Sequence, residues 1–263
     1  MWFFAAVIGF NLIKVPYDSG ANKRGSSFFP DEVEKIVRPN IIYKTCTEKT
    51  LHEKFQTVYN IVERCHKKNE FPVIVGGDHT IAIPSVYASN EYCLSNQKRL
   101  GILWMDAHAD FNTLETSPSK NLHGVPVAAL CGHTLGELTY GKHLEPSQFS
   151  YYGVRDIDCL EFNRFQEYNM KVHTSVDQVC EWIKCFDAIH ISFDVDCLDP
   201  SIMKSVNTPV ENGLSLLEAK TVLETVKKSK KLLALDIVEF NPKIDVSNMS
   251  TISKLFKNFV QNL

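Results

Sequence analysis

Short apolar runs alternate along this chain with longer stretches in which apolar residues recur at helical spacing. The short runs predict buried or extended strands, and they cover residues 2–10, 72–77, 100–105, 149–154, 171–174, 188–195 and 231–240. The longer stretches predict helices over residues 32–38, 47–68, 80–89, 123–130, 159–168, 176–184, 215–228 and 247–262. This alternation of strand and helix favours a mostly parallel sheet with helices on both faces.

Polar loops separate these elements. The loop of residues 16–31 is rich in Gly, Ser and Asn, and Asp31 is placed to cap the helix that follows it. No internal repeat, low-complexity tract or linker interrupts the pattern. A chain of 263 residues with 44% hydrophobic residues is large enough for one core. We therefore expect residues 1–263 to form a single domain.

The charge and cysteine content argue against several classes of protein. The formal net charge is −3 with both signs mixed, and no basic tract indicates nucleic acid as a partner. The eight cysteines form no CxxC pair, which favours free thiols in a reducing compartment over a disulfide framework or a zinc site. The apolar stretch of residues 2–10 lacks a preceding basic region and is too short to span a bilayer. We expect a cytoplasmic protein without a membrane segment.

Polar and acidic residues directly follow four of the predicted strands. They are the GGDHT motif of 76–80, the alternating Asp106, His108 and Asp110, the pair Asp194 and Asp196, and the acids within 236–240. In open parallel sheets, ligands bind at the carboxyl ends of the strands. Single acids at a strand end are ordinary, but four sets at one edge indicate a site.

The clearest candidate metal ligands follow the strand of residues 100–105. Side chains two residues apart on an extended chain point the same way. Asp106, His108 and Asp110 therefore face one point, and holding them together requires a positive partner such as a metal ion. The alternative interpretation of this stretch is a polar loop that leaves the end of a strand.

Two further motifs contribute ligands that are weak candidates on their own. His79 follows a glycine pair that permits a tight turn, but a histidine at a helix start is more often a capping or solvated residue. Asp194 and Asp196 alternate after an apolar strand, which is equally consistent with a loop, and Asp199 is better placed to cap that loop. Two neutral imidazoles and four carboxylates carry a charge of about −4, which two divalent cations would balance. Oxygen and imidazole ligands suit manganese, magnesium or iron.

Four motifs, GGDHT, DAHADFN, SFDVDCLDP and DIVEFNP, resemble in order and spacing those of the ureohydrolase superfamily, which includes arginases and agmatinases. The resemblance is closest to arginase. It implies an arginase-like α/β fold of three α/β/α layers, with a mostly parallel central sheet of about eight strands. It also implies two Mn²⁺ ions, and the ligands it implies are His79, Asp106, His108, Asp110, Asp194 and Asp196.

The loop after Asp110 is similar to the arginase version, whereas agmatinases usually carry a shorter one. In arginases this loop hydrogen-bonds the α-carboxylate and α-amino group of the substrate. The matching residues here are Asn112, Ser119, Asn121 and His123. The RDIDCLE segment matches a family segment whose acids, Asp158 and Glu161 in this chain, lie near the α-amino end. The alternative explanation of this pair is a helix N-terminus enriched in acids.

The resemblance also implies roles in catalysis and assembly. Glu239 matches the glutamate that holds the guanidinium group, and His123 matches a histidine proposed as proton shuttle or acid. Asp110 matches the residue that hydrogen-bonds a metal-bridging hydroxide and relays its proton, and Thr208 matches a substrate-side threonine. The implied activity is manganese-dependent hydrolysis of L-arginine to L-ornithine and urea by a homo-oligomer, a trimer or a hexamer.

Two alternative functions remain open. One is another ureohydrolase activity, on agmatine, guanidinobutyrate or formiminoglutamate, and the other is a weakly active homologue with a binding or regulatory role. The sequence departs from the family at four positions: Lys120, Cys197, Asn207 and Asn212. Lys120 lies close to the expected substrate carboxylate, and a thiol at Cys197 is expected to crowd the metals or to make the enzyme sensitive to oxidation. Asparagine tolerates positive φ, so Asn207 and Asn212 are expected to preserve turns that usually contain glycine.

Overall fold

The computed structural model describes residues 9–45, 50–133 and 138–261. Within these ranges, eight strands form one sheet in which every pair of neighbours is parallel. The strands are Phe10–Val15 (β1), Ile41–Lys44 (β2), Phe71–Gly76 (β3), Leu100–Met105 (β4), Phe149–Tyr152 (β5), Val172–His173 (β6), Ala188–Asp194 (β7) and Leu232–Val238 (β8). Their order across the sheet is β2-β1-β3-β8-β7-β4-β5-β6. The expected α/β fold with a parallel central sheet is confirmed.

Helices cover both faces of this sheet, which gives the structure three layers. They are Phe29–Glu34 (α1), Leu51–Lys67 (α2), Ala82–Ser95 (α3), Pro126–Leu130 (α4), Cys159–Glu167 (α5), Val176–Lys184 (α6), Leu216–Lys228 (α7), Pro242–Asp245 (α8), Met249–Ile252 (α9) and Asn258–Gln261 (α10), with a π-helical turn, Ser253–Lys257, between the last two. In the ranges described, none of these helices is long and apolar enough to cross a membrane.

Strand β4 illustrates how the sequence divides the core. All of its residues are buried, and successive side chains point to opposite faces of the sheet. Leu103 and Met105 belong to the layer that contains α6 and α7, whereas Ile102 and Trp104 belong to the layer that contains α2 and α3. A parallel strand covered on both faces has a continuous apolar sequence. The apolar run therefore predicts this strand at its observed bounds.

The four strands that lead into the candidate ligands lie side by side in the sheet, in the order β3-β8-β7-β4. Because all four are parallel, their carboxyl ends share one edge. Adjacent strands are about 4.8 Å apart, so the four chain ends lie within roughly 15 Å of one another. Residues far apart in sequence are thereby brought to one place.

The first strand is displaced from its predicted position. The sequence predicts a strand over residues 2–10, whereas β1 overlaps that range only at Phe10; residues 1–8 lie outside the described ranges. The strand includes Lys14, whose side chain is buried because its ammonium group pairs with two carboxylates of α1. Because this strand contains polar residues, a prediction based on apolar runs does not detect it.

Other elements also differ from their predictions, and helix α3 runs six residues beyond its predicted end at 89. Helix α1 begins before the predicted range of 32–38, because Pro30 suits the first turn of a helix, and Asp31 lies in that turn instead of capping it. Strand β2 was not predicted, because its apolar run, residues 41–43, is short and mostly exposed. The single helix expected over 247–262 is divided into α9, the π-helical turn and α10.

Candidate metal centre and substrate cleft

A cleft of about 210 Å³ opens at the carboxyl edge of the sheet. Its walls contain five of the six predicted metal ligands and seven of the eight predicted substrate residues. The lining residues are His79, His108, Asp110, Asn112, Ser117, Ser119, Asn121, His123, Gly124, Asp156, Asp158, Glu161, Asp194, Asp196 and Thr208. Asp106 is buried and does not line the cleft, and neither does Glu239.

His79 lies at the buried side of this cluster, at the start of the short turn that follows β3. Its Nδ1 atom is 2.9 Å from Asp106, 3.1 Å from Asp110 and 3.3 Å from Asp194, measured to the Oδ2 atom of each. This nitrogen is buried and has no hydrogen-bond partner in the described structure. Burial alone would lower the pKa of His79, but the three carboxylates raise it well above its ordinary value. The position therefore attracts a cation.

Asp106 is shared by two groups of ligand atoms. One group combines it with His79 and Asp194, and the other combines it with His108 and Asp196; in each group all the ligand atoms lie within 4.8 Å of one another. His108 Nδ1 is 3.4 Å from Asp106 Oδ1 and 3.2 Å from Asp196 Oδ2. The two groups thus lie next to each other and meet at one carboxylate.

Backbone hydrogen bonds orient two of these carboxylates. Asp194 Oδ1 accepts from the N–H of Asp196 at 2.8 Å, and Asp196 Oδ1 accepts from the N–H of Ala107 at 3.1 Å. Each acid therefore directs its second oxygen, Oδ2, toward a histidine. Asp106 is held by the N–H of His108 on one oxygen and by the indole N–H of Trp104 on the other.

The chemistry of this donor set fits two hard divalent cations. It contains four carboxylates and two imidazoles and no thiolate, and the unpartnered Nδ1 atom of His79 faces three of the carboxylate oxygens. Carboxylate oxygen and imidazole nitrogen are the ligands that manganese and similar metals prefer. Four buried acids without a cation would repel one another strongly. The described structure thus contains a candidate site for divalent metal.

Two residues of the site have a left-handed backbone. Asp110 has φ +50° and Glu239 has φ +69°. Aspartate visits this region fairly readily, whereas for glutamate it costs of order 1–3 kcal/mol. The N–H of Glu239 is fixed by the carbonyl of Gly77 at 2.7 Å. Such strain persists only where the surrounding structure determines the conformation, as it does at this edge of the sheet.

Buried Glu239 and partly buried His123 form a pair beside the ligands. Oε1 of Glu239 accepts from the N–H of His79 at 2.9 Å and lies 3.0 Å from Nδ1 of His123, whereas its Oε2 atom has no partner in the described structure. Burial alone would lower the pKa of His123, but the charge of Glu239 and its hydrogen bond raise that pKa to about 9. His123 therefore carries a proton at neutral pH.

The loop after Asp110 forms one wall of the cleft. Asn112 donates from Nδ2 to Asp158 at 3.0 Å, and its Oδ1 accepts from Thr116 at 2.9 Å. Ser119 Oγ accepts from the N–H of Asn121 at 3.2 Å. These polar side chains are positioned by one another, so the wall presents a fixed set of donors and acceptors.

Asp158 and Glu161 satisfy both interpretations of the acids in the RDIDCLE segment. They form a capping box at the start of α5, and both also line the cleft. Glu161 accepts from the N–H of Phe111 at 2.6 Å, which ties the helix start to the loop after Asp110. Burial raises the pKa of Glu161 to about 8, with a smaller contribution from Asp110.

The four departures from the family pattern have separate structural outcomes. Cys197 is buried in the apolar core and does not line the cleft, so its thiol does not crowd the ligands as expected. The Lys120 ammonium binds two carbonyls of its own loop, at 2.6 and 3.1 Å, and also lies outside the cleft lining. Asn212 has φ +61°, as expected for a glycine substitute. Asn207 does not; its side chain instead bonds Asn241 and the carbonyl of Lys23.

Sequence reasoning missed several side chains that support the site. Ser192 lies 2.8 Å from His79 Nε2, and the ring of Trp104 stacks on His79 with centroids 4.1 Å apart. Both residues precede a candidate ligand by two positions in a strand, so the two-residue alternation is a signal for them. Asp78 is also buried and accepts from the N–H of Gly20 at 2.6 Å. Nothing in the local sequence indicates that contact.

Comparison with known proteins adds independent findings. A family model described as the arginase family matches residues 8–261. The arginase of Saccharomyces cerevisiae is 36% identical over 229 residues, which cover 76% of this chain and 67% of the yeast protein. The arginase of Entamoeba histolytica is 32% identical over 269 residues, which cover 89% of this chain and 90% of that protein. The crystal structure of the Entamoeba enzyme in complex with L-ornithine is similar with a TM-score of 0.85 and 28% identity, and the match covers 95% of this chain and 99% of that chain.

Proposed function

Because this chain belongs to the arginase family and is an arginase-type hydrolase that acts on a small molecule, we propose that it hydrolyses L-arginine to L-ornithine and urea with two Mn²⁺ ions. One observation carries the proposal: two groups of metal-ligand atoms share Asp106 beside a cleft that has an arginase-type substrate loop on one wall. A polar cleft of about 210 Å³ fits a small, charged substrate better than a large apolar one.

We assign the ligands by the two groups. His79, Asp110 and Asp194 would hold one metal ion together with Asp106, and His108 and Asp196 would hold the other with the same aspartate. When bound, the two cations would supply the Lewis acidity that makes water a nucleophile near neutral pH.

Asp110 and His123 are the proposed proton carriers. Asp110 lines the cleft among the proposed metal ligands, where its carboxylate would hydrogen-bond a metal-activated water and relay its proton. His123 is protonated at neutral pH and lines the cleft, and it is placed to deliver a proton to the leaving amine of ornithine. Urea leaves as the other product.

The two ends of the substrate would be held by different groups. We assign the Oε2 atom of Glu239, which has no partner in the described structure, to the guanidinium group. Asn112, Ser119 and Asn121 offer polar contacts to the α-carboxylate. Asp158, with Glu161 behind it, and Thr208 complete the proposed substrate contacts, and the acid charge suits the α-amino group.

The test is urea release by the purified protein loaded with Mn²⁺, with arginine and agmatine as substrates. We expect urea from arginine and none from Asp110→Ala or Asp196→Ala. Urea from agmatine alone would refute arginine as the substrate. Bound metal without turnover of any guanidino compound would favour the binding or regulatory role.

We also propose that residues 1–263 act as one catalytic domain in the cytoplasm and assemble as a trimer or a hexamer. The seven described cysteines are all free thiols, as is usual in a reducing compartment. Several large apolar side chains are exposed, Leu217 at 73% and Val246 at 54% among them, and such residues are available for subunit contacts. Light scattering on the purified protein distinguishes a monomer from these assemblies.

A further inference from the structure

Arg155 makes an unusual set of contacts beside the candidate metal centre. Its guanidinium group donates to backbone carbonyl oxygens, and among the described residues no carboxylate lies within ion-pair distance of it. The acceptors are the carbonyls of Gly153 (2.9 Å), Asp196 (2.9 Å), Cys197 (3.2 Å), Leu198 (3.5 Å), Val210 (2.7 Å) and Glu211 (3.0 Å). The charge of Arg155 is therefore balanced by peptide dipoles, and its contacts join separate parts of the chain.

Three backbone segments meet at this guanidinium group. The first follows β5 and carries Arg155 itself, the second follows β7 and spans residues 196–198, and the third spans residues 210–211. The chain just beyond the third segment also bonds the second segment and its continuation, because the N–H of Leu214 donates to Cys197 and the N–H of Asp199 donates to Leu214.

Gly213 shows how closely these segments pack. A Cβ atom at this position would lie 2.5 Å from the nitrogen of Asp199 and 2.7 Å from Nη2 of Arg155. The guanidinium group therefore occupies a space that a side chain at residue 213 would take. The planar fork of arginine serves several acceptors in one plane, which the compact ammonium group of lysine does not.

The segments that Arg155 joins carry two side chains of the site. Asp196 places its Oδ2 atom 3.2 Å from His108 Nδ1, and Thr208 donates to that same Oδ2 at 3.2 Å. Arg155 fixes the carbonyl of Asp196 itself. It also fixes the carbonyls of Val210 and Glu211, which lie two and three residues beyond Thr208. It thus holds the backbone on which both partners of the Asp196–Thr208 contact lie, and it does so without lining the cleft itself.

We propose that Arg155 is a positioning residue that keeps Asp196 and Thr208 in register with the metal centre and thereby sets the metal affinity of the group formed by Asp106, His108 and Asp196. This inference rests on the proposed function only in taking that group as a metal site. Groups that orient metal ligands typically change metal affinity by about 10- to 100-fold when they are removed. Arg155→Lys keeps the charge but loses the fork, so it should weaken one of two Mn²⁺ sites by that factor.

The experiment is a titration of the metal-free protein with Mn²⁺ alone. Calorimetry and the electron paramagnetic resonance signal of free Mn²⁺ give the affinity of each site. The matched control is Arg99→Lys. That arginine lies next to the first residue of β4, at the opposite end of the strand from the site, with its guanidinium group 4.8 Å from the ring centroid of Phe186. We expect two sites whose affinities are the same in wild type and control, and one of these sites weakened about 10- to 100-fold in Arg155→Lys. Excess Mn²⁺ should restore kcat in Arg155→Lys by filling the weakened site, whereas a general loss of stability would lower the affinity of both sites.

The possible results separate the two proposals. Unchanged affinity at both sites of Arg155→Lys would overturn the role of Arg155, whatever the activity. Two bound Mn²⁺ ions in the wild type without urea from arginine would refute the proposed function and leave the inference standing. If Arg155→Lys is unfolded without metal, Arg155→Gln is the second variant. If that variant also needs metal to fold, its refolding is monitored by circular dichroism as Mn²⁺ is added. Refolding at the same Mn²⁺ concentration as the wild type would show unchanged metal affinity and would overturn the inference.

Discussion

Replacing Glu239 by glutamine tests the electrostatics of the site most directly. The Glu239 carboxylate lies 3.0 Å from Nδ1 of His123, and the side chains are 2% and 16% exposed. At this distance and an effective dielectric constant of 20, the attraction is about 5.5 kcal/mol. Burial of the imidazolium works against it. The pKa of His123 rises from 6.5 to about 9, which corresponds to about 3 kcal/mol at 1.36 kcal/mol per unit, so burial, after the smaller opposing contributions of Asp110 and Asp78, offsets about 2 kcal/mol.

Without the Glu239 charge, the burial contribution should dominate. We expect Glu239→Gln to bring the pKa of His123 in the metal-free protein down to 6.5 or below. The measurement is an NMR titration of the imidazole signals, with His123 assigned by its absence from a His123→Asn sample. Glu181→Gln is the control, because that exposed carboxylate pairs with a surface lysine far from any cleft-lining residue. A fall of less than one unit in Glu239→Gln would refute the electrostatic account.

The same pair makes a prediction for stability. Because the pKa of His123 in the folded protein is above its unfolded value of 6.5, the pair stabilises the fold fully below pH 6.5, and this contribution is lost as the pH rises through about 9. The midpoint of thermal unfolding of metal-free Glu239→Gln should therefore lie several degrees below that of the wild type at pH 6, at about 2–4 °C per kcal/mol for a chain of this size. At pH 10 the two midpoints should converge.

Three further substitutions test the surroundings of the site. Ser192→Ala removes the partner of His79 Nε2 and should lower Mn²⁺ affinity about 10- to 100-fold, measured as metal content after dialysis; full occupancy would show that the serine is dispensable. Phe193→Ala removes a fully buried ring that packs edge-on against Phe256 and should cost about 3–5 kcal/mol of unfolding free energy, read from thermal unfolding. Lys120→Ala should leave the KM for arginine within about twofold, because this ammonium binds its own loop outside the cleft lining; a larger change would place the lysine at the substrate.

The ends of the central strands were the most predictable part of the structure. Apolar runs predicted the first and last residues of β4 correctly. For β7 and β8 the predicted ends lie within two residues of the observed ends. Once those strands are parallel, the ligands that follow them share an edge whatever the details of the helices. The two-residue alternation after β4 and at the end of β7 placed the acids at this edge but did not predict their grouping, because Asp196 joins Asp106 and His108 while Asp194 joins His79 and Asp106.

Features that depend on contacts between distant segments were not predictable in the same way. Strand β2 is a short edge strand with exposed residues, and its place in the sheet depends on backbone pairing with β1 that its few side chains do not predict. The π-helical turn before α10 breaks a helical period that the sequence continues without interruption. The carbonyl contacts of Arg155 depend on two loops whose conformations no local pattern predicts. In each case the conformation depends on contacts of the backbone. Such contacts are not reflected in the residue types of the sequence.

The site is fixed mainly by backbone, and this explains why the departures from the family pattern are tolerated. Asp194 and Asp196 are oriented by N–H groups, and Glu239 is held in a left-handed conformation by the carbonyl of Gly77. A substitution that leaves these backbone positions unchanged does not move the ligand oxygens directly. Cys197, whose side chain lies inside the core, is such a substitution. A substitution at a residue that holds the backbone, as Arg155 does, can move them although its side chain touches no ligand side chain. Metal affinity should therefore be more sensitive to the residues that bind the loops than to many that lie closer to the cleft.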